Sequence, residues 1–331
     1  MVKKSNGQIC DIKSLVAEIE NAFGKEMVCD NTVKVEMISS GSSKVDEVLG
    51  GGYPLGRVIE IAGWESSGKT TFALHLCKEI QEKGKSVGYI DTENALDPEY
   101  AKSIGVDVSP ERFVLCQPGT AEDALTIAKM MVKCGEVGVV ILDSVAAMVA
   151  KCIIEGEVGE QKMAVLARLM SQQMPIIAKS AAETGCIFFC INQYRKDIGG
   201  FTGSGNSTAG GKALPFYCSQ RLEIARVGNK TIGEDVIGIR SKVTCKKNKV
   251  APPFKKCEVQ IGFGVGFDTE GELIEQLIEY GVLVKNGGWF KYRGSNLANG
   301  EKKLKDLLDS NPELLEEMKK SLEELLTSTE E

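Results

Sequence analysis

The chain has 331 residues, 43% of them apolar, and a formal net charge of −6 at pH 7, which is the make-up of a globular protein long enough for a full core and a smaller second domain. No uninterrupted apolar stretch reaches membrane-spanning length and the start runs straight into polar residues, so neither a transmembrane helix, a signal peptide nor a membrane partner is expected, and the expected location is the cytoplasm. Eleven cysteines are scattered from Cys10 to Cys257 without a Cys-x-x-Cys pair and His75 is the only histidine, a pattern that reads as buried free thiols and removes histidine triads, histidine-rich metal sites and zinc clusters.

Residues 8–23 set Ile9, Ile12, Leu15, Val16, Ile19 and Phe23 at helical spacing. They predict an amphipathic helix, within an N-terminal segment 1–34, whose apolar stripe needs a surface to cover it. A core of residues 35–268 follows. Its first clear strand, Val58-Ile59-Glu60-Ile61-Ala62, leads into Gly63-Trp64-Glu65-Ser66-Ser67-Gly68-Lys69-Thr70 and then into the amphipathic run Thr71 to Lys83. A complete phosphate-binding loop set between a strand and a helix is more than a chance match. The loop's N–H groups cradle phosphate oxygens, and the positive end of the new helix faces the same anion. Lys69 can reach the β- and γ-phosphates, and the Thr70 hydroxyl can hold Mg²⁺. The motif commits the chain to a nucleoside triphosphate.

Further strand-like runs cover 86–91, 112–117, 137–143, 186–192, 220–226, 241–247 and 257–263, and helical runs cover 71–83, 121–133 and 161–181. Early alternation of strand and helix predicts an α/β core with a mostly parallel twisted sheet carrying helices on both faces; the later strands, without long helices between them, predict antiparallel additions. Pro175 lies inside the third helical run and predicts a kink or a break. Val139-Val140-Ile141-Leu142-Asp143 is an apolar strand ending in a carboxylate. Paired with the phosphate loop, it reads as a Walker-B strand with Asp143 on Mg²⁺. Tyr89-Ile90-Asp91-Thr92-Glu93 also ends in carboxylates, and Glu93 is the candidate for polarising the attacking water. Gln193 ends the strand Phe188-Phe189-Cys190-Ile191-Asn192. Here a γ-phosphate sensor and a satisfied structural glutamine fit the residues about equally. Residues 153–162 and the glycine-rich 196–212 read as loops on the ligand side of the sheet, the second directly after Gln193. Between Arg240 and Lys256 seven basic residues stand with no acid among them, either a solvated strand face or a basic stripe.

Residues 269–331 predict an accessory α+β domain: a helix near Leu273–Ile278, a hairpin around Gly287-Gly288 and Trp289–Arg293, helices at 301–309 and 312–326, and an acidic tail with a frayed end. Asp309 to Glu331 holds eight acidic and two basic residues, so residues 1–308 balance at 38 of each sign. The overall acidity is therefore confined to the C-terminal end and does not argue against a nucleic-acid partner.

Taken with Ser40-Gly41-Ser42, Asp46, Leu49-Gly50-Gly51-Gly52, Pro54-Leu55-Gly56-Arg57, Glu65-Ser66-Ser67-Gly68-Lys69-Thr70-Thr71, Ala95-Leu96-Asp97-Pro98, Asp143-Ser144-Val145-Ala146-Ala147, Glu155-Gly156-Glu157, Met170-Ser171-Gln172, Ile191-Asn192-Gln193, Gly210-Gly211-Lys212-Ala213-Leu214 and Lys247-Asn248-Lys249, the chain resembles the bacterial RecA recombinases over nearly its whole length. The resemblance implies a DNA-dependent ATPase that forms helical filaments on single-stranded DNA with ATP between neighbouring subunits, and that pairs and exchanges homologous strands. It implies that Asp97 and Tyr100 flank the adenine and Thr71 joins the nucleotide site, while Lys247 and Lys249 reach the next subunit's phosphates. It makes 153–162 and 196–212 the DNA loops, with Arg168, Ser171, Arg195, Lys196, Gly210, Gly211 and Lys212 on DNA. The helix at 8–23 and Phe216-Tyr217 would join subunits. Lys285, Lys291, Arg293, Lys302 and Lys303 would meet incoming duplex, with the acidic tail competing. Co-activation of self-cleavage by a LexA-type repressor is a further implication.

The sequence departs from the family at Pro175 and Ala225, where basic residues are usual, at Thr202, where the second loop's aromatic is displaced to Phe201, and at Val265, which replaces an acid. Each lost phosphate contact lowers the salt dependence of DNA binding by about 1 in slope. A ring-forming helicase or translocase on the same ATPase fold, an accessory recombinase of a phage or mobile element, a small-molecule kinase and a catalytically silent filament scaffold are the competing readings.

Overall fold

The computed structural model describes residues 11–28, 35–156, 164–196 and 206–328. It divides into a unit Met1–Glu36 and a unit Met37–Glu331. In the first, α1 (Ile12–Phe23) begins at Asp11, whose carboxylate accepts the Ser14 N–H at 2.9 Å, a cap that satisfies one of the helix's unpaired donors. Ile12 and Phe23 of the expected apolar stripe are 80% and 70% exposed. Ile9 lies outside the described residues.

The second unit opens with α2 (Ser43–Leu49) between the short strands β1 (Met37–Ile38) and β2 (Tyr53–Pro54). The central sheet follows from β3 (Val58–Gly63), β4 (Ser86–Asp91), β5 (Phe113–Cys116), β6 (Val137–Asp143), β7 (Ile187–Lys196), β8 (Asn206–Thr208), β9 (Gln220–Ile232), β10 (Asp235–Asn248), β11 (Lys256–Gly262) and β12 (Gly266–Phe267). Interleaved are α3 (Lys69–Glu82), α4 (Pro98–Ile104), α5 (Ala121–Val132), α6 (Lys151–Ile154), α7 (Val165–Thr184) and α8 (Ala213–Tyr217). The strand order is β12-β11-β10-β9-β3-β7-β6-β4-β5, with β8 attached to β7. From β9 to β5 neighbours run parallel; β9 to β12 run antiparallel, as the missing helices between them predict.

The parallel strands are apolar throughout because both faces are covered. Val139, Ile141, Ile187 and Phe189 enter the cluster containing Phe72 and Leu76 of α3, while Val140, Leu142, Phe188 and Cys190 enter the opposite cluster containing Leu125 of α5 and Met174 of α7. Alternation along a strand delivers successive residues to opposite layers. Buried polar residues interrupt the pattern, Glu60 of β3 among them. Glu60 is 0% exposed, and its carboxylate accepts Arg221 Nε at 2.5 Å and Asn192 Nδ2 at 3.0 Å.

The structure corrects two expectations. First, α7 runs unbroken through Pro175. Proline removes the N–H that would bond the Ser171 carbonyl, but Ser171 is exposed, and the fully buried Met174 and Ile177 hold the helix against the sheet. Second, 196–212 is not all loop. β7 extends to Lys196, β8 pairs back on it, and Lys212 begins α8. The acidic C-terminal stretch is largely the helix α11 (Pro312–Ser328), as the periodicity of 312–326 predicts. His75 is packed: it stacks on Phe267 at 4.2 Å, and its Nε2 accepts the Phe267 N–H at 2.9 Å.

The C-terminal part of this unit comprises α9 (Thr269–Glu279), the antiparallel sheet β13 (Leu283–Asn286), β14 (Trp289–Tyr292) and β15 (Ser295–Asn299), then α10 (Glu301–Ser310) and α11. It has its own core, including Leu277, Phe290, Leu304 and Met318. Asp268 joins it to the central-sheet core, accepting from Lys230 of β9 and from Lys305 of α10, the latter at 2.7 Å, and capping α9 through the Gly271 N–H. Burial works to raise the Asp268 carboxyl, but the two lysine bonds outweigh it and hold it at about 2. Nearby, Ser42 Oγ donates to Glu272 Oε2 at 2.8 Å, and Lys44 pairs with Glu275.

Candidate active site and nucleic-acid interface

The phosphate loop sits where β3 turns into α3. Gly68 starts the helix at φ 94°, and a Cβ there would meet Ile261 Cδ1 at 2.4 Å, so only glycine lets the loop close against β11. Ser241 Oγ on β10 donates to the Ser67 carbonyl at 2.9 Å, tying the loop to the antiparallel half of the sheet. Lys69 Nζ donates to the Trp64 carbonyl at 2.7 Å; burial lowers its affinity for the proton, opposed by Asp143, Glu93 and Glu65.

A cleft of about 230 Å³ is lined by Glu65, Ser66, Ser67, Gly68, Lys69, Thr70, Thr71, Glu93, Asp143, Ile191 and Gln193. The structure thus brings together residues from the ends of four strands that the sequence analysis singled out separately. Asp143 Oδ2 accepts Thr70 Oγ1 at 3.0 Å and Tyr89 OH at 2.7 Å. Burial pushes the Asp143 carboxyl up to about 6 against those two bonds, and the charges of Glu93 and Asp91 push the same way. A hydroxyl and a crowded carboxylate beside a phosphate cradle are hard oxygen donors, and the negative charge gathered there is what a divalent cation would offset. Among the described residues no cluster of three or more acidic, histidine or cysteine ligands exists. Mg²⁺ suits such a place, because it takes one or two protein oxygens and completes its shell with phosphate and water.

Glu93 Oε1 accepts Gln193 Nε2 at 2.9 Å and Ser144 Oγ at 2.5 Å. Thr92 and Ser144 exchange bonds at 2.8 and 2.9 Å, zipping the ends of β4 and β6 beneath this cluster. The peptide Asp143–Ser144 is cis.

A second cleft, of about 370 Å³, continues from Ser66, Gly68 and Thr71 to Tyr100, Arg226, Ile239, Ile261, Phe263 and Gly264. Its size and apolar walls suit a base and sugar. Tyr100 OH bonds Thr71 Oγ1 at 2.8 Å, while Asp97 caps α4 by accepting the Glu99 N–H at 2.9 Å. Arg226, Phe263 and Gly264 were missed in the sequence; they come from β9 and the β11–β12 turn, and no local motif marks them. Val265 is 65% exposed beside them.

Lys247 and Lys249 line neither cleft of their own protomer. Lys247 Nζ donates to the carbonyls of Pro215 and Phe216 at 2.8 and 2.9 Å, at the C-terminal end of α8; burial, then Lys249, lowers its proton affinity. Phe216 is 72% exposed on the same helix. Arg168 and Ser171 are exposed near the start of α7, with Pro175 following one turn on. Gly210 and Gly211 hold φ of 85° and 74°, and a Cβ on Gly211 would meet Ala167 Cβ at 2.7 Å, so this shoulder lies tight against α7. The backbones of Arg195 and Lys196 pair with Ser207 and Asn206; their side chains, residues 157–163 and residues 197–205 with Thr202 lie outside the described residues. In the C-terminal part, Lys285 lies over Phe290 at 5.4 Å, Arg293 over Tyr292 at 5.1 Å, and Arg293 pairs with Glu317 of α11. Lys302 and Lys303 are exposed.

A phosphate-loop motif on the end of one strand, an acid on another and a glutamine on a third, all at the ends of neighbouring parallel strands, are the arrangement of a P-loop nucleotide-binding fold. Residues 10–268 match the RecA N-terminal domain and residues 271–327 the RecA C-terminal domain. Protein RecA of Macrococcus caseolyticus is 44% identical over 312 residues, covering 93% of this chain and 88% of that protein. Protein RecA of Clostridium botulinum is 42% identical, with 95% and 89% covered. A solved RadB recombinase shares the fold with a TM-score of 0.54 at 22% identity, over 70% of this chain and 98% of that one. The chain belongs to the RecA family of recombinases.

Proposed function

We propose that this chain is a DNA-dependent ATPase that assembles as a helical filament on single-stranded DNA and catalyses homologous pairing and strand exchange in recombinational repair. The observation that carries the reading is the Gln193–Glu93 bond at 2.9 Å. It ties a phosphate-cleft carboxylate to the strand that runs straight into the glycine-rich segment.

The loop amides of 63–68 and Lys69 bind the phosphates, with the base beside Tyr100 and Asp97. Thr70 and Asp143 would hold Mg²⁺, which supplies charge neutralisation at the β- and γ-oxygens when bound. Glu93 orients the attacking water and accepts its proton. Gln193 exchanges its bond to Glu93 for one to the γ-phosphate, so nucleotide state is felt at the base of the DNA segment. Lys247 and Lys249 act on the neighbouring subunit's phosphates, stabilising charge as phosphoryl transfer proceeds. Exposed Phe216 and the stripe of α1 bury against neighbours in the filament.

Arg168, Ser171, Arg195, Lys196, Gly210, Gly211 and Lys212 form the single-strand grip, mainly on the backbone. Lys285, Lys291, Arg293, Lys302 and Lys303 receive duplex. Acidic α11, whose Glu317 pairs with Arg293, competes with that duplex. Co-activation of a LexA-type repressor and a cytoplasmic location complete the reading; among the described residues no helix is long and apolar enough to cross a membrane.

ATP turnover should rise sharply on adding single-stranded DNA, and electron microscopy should show extended filaments. Closed rings, with turnover unchanged by DNA, would sink the reading in favour of a helicase or translocase. Incubating filament, ATP and repressor tests the last element, and an intact repressor removes it.

A further inference from the structure

Trp64 is a bulky ring at a loop position whose contact with phosphate needs only backbone. It is 41% exposed, so it does not fill the core. It touches Tyr194, with ring centroids 6.0 Å apart and planes tilted by 55°, within the range of an attractive aromatic pair. Its carbonyl accepts both Lys69 Nζ at 2.7 Å and Ser67 Oγ at 2.8 Å. One residue therefore holds the loop's lysine through its backbone and meets β7 through its ring.

Tyr194 is placed to pass a displacement on. It follows Gln193 on β7 and pairs with Thr208 of β8, so it stands in the paired stem of these two strands. Its hydroxyl donates to Glu223 Oε2 of β9 at 2.9 Å, and Glu223 pairs with Lys246 of β10 at 3.3 Å. Burial, reinforced by the Glu223 carboxylate, raises the phenol well above its ordinary range, so the ring stays neutral and tethered.

We propose that Trp64 is a positioning residue that transmits occupancy of the phosphate loop to the β7–β8 hairpin through Tyr194, by a route separate from Gln193. A phosphate that recruits the Lys69 ammonium removes a bond from the Trp64 carbonyl, and the loop resettles at that residue. The indole moves against Tyr194. Because Glu223 anchors the far end of Tyr194, the strand shifts rather than the side chain swinging free. By linkage, DNA on the hairpin tightens nucleotide binding by the same factor.

The inference rests on the function proposed above, and the experiment separates the two. Trp64 and Trp289 are the two tryptophans, so a Trp289→Phe chain reports Trp64 alone by fluorescence. In that chain, ATP should change Trp64 emission, and polythymidylate should change it again. Against this parent, Tyr194→Ala should weaken polythymidylate binding in the presence of ATP by about three- to tenfold, the worth of one aromatic contact, and leave DNA-free ATPase unchanged. Tyr194→Phe, which keeps the ring, should retain most of the coupling. Adding Trp64→Ala to Tyr194→Ala should weaken ATP-dependent binding no further than Trp64→Ala alone. If the parent shows no DNA-stimulated ATPase, the functional reading fails. If the parent is stimulated but Tyr194→Ala binds as tightly as it does, if Tyr194→Phe loses as much as Tyr194→Ala, or if the two losses simply add, the relay is overturned and Gln193 carries the coupling alone.

Discussion

Gln193 and Ser144 converge on one oxygen of Glu93, at 2.9 and 2.5 Å, from two different strands. A carboxylate held at both sides is oriented before any water arrives. In the proposed mechanism its second oxygen would face the attacking water. We expect Glu93→Gln to lower ATP turnover by about 10²–10⁴-fold while ATP binding persists, because the amide keeps the geometry and loses the basicity. Single-turnover hydrolysis beside nucleotide binding measures both. A variant that hydrolyses normally removes Glu93 from the reaction.

The buried pair Glu60–Arg221 supports the site from below, with Asn192 on the other oxygen of Glu60. Arg221→Met should destabilise the chain by about 3–5 kcal/mol, since it strands a carboxylate in the sheet. Changing Glu60 to Met as well should recover much of that loss. Urea midpoints of the two variants test this, and equal midpoints for parent and Arg221→Met would refute the burial argument.

His75 should set an acid limit on stability. Burial, helped by Lys78, lowers its proton affinity to about 4. The unfolded chain, at about 6.5, binds the proton more readily. The native state therefore holds its full advantage above pH 6.5 and loses it as pH falls towards 4, by up to about 3 kcal/mol. Thermal melts across that window should be flatter by one proton for His75→Gln, which keeps an acceptor for the Phe267 N–H. An unchanged slope would show that the imidazole is charged when folded.

Glu272 predicts the opposite trend. Burial pushes its carboxyl up to about 7 despite the bonds from Ser42 and the charge of Lys44, and its Oε1 has no partner among the described residues. A raised carboxyl stabilises the fold relative to its charged form below the unfolded value of about 4.5, and that contribution is lost as pH rises through 7. Glu272→Gln should therefore melt higher than the parent at pH 8, by about 1–3 kcal/mol, with the difference vanishing below pH 4.5. Differential scanning calorimetry at both ends decides it; a gap that persists at low pH would point to packing instead.

Much was legible in the chain because its signals are local. The loop 63–70 announces itself through glycines that backbone geometry demands and a lysine and threonine that phosphate chemistry demands. Apolar runs buried on both faces read directly as parallel strands, and the periodicity of 301–309 and 312–326 gave the last helices. Other features depend on which strands become neighbours, which sequence distance hides. Strand order set Gln193 against Glu93, a contact that no local motif announces. Arg226, Phe263 and Gly264 form a wall of the second cleft only because β9 and β11 fold back beside α3. Pro175 misled for the same reason: helix propensity is a local preference, and the burial of Met174 and Ile177 against the sheet outweighs it.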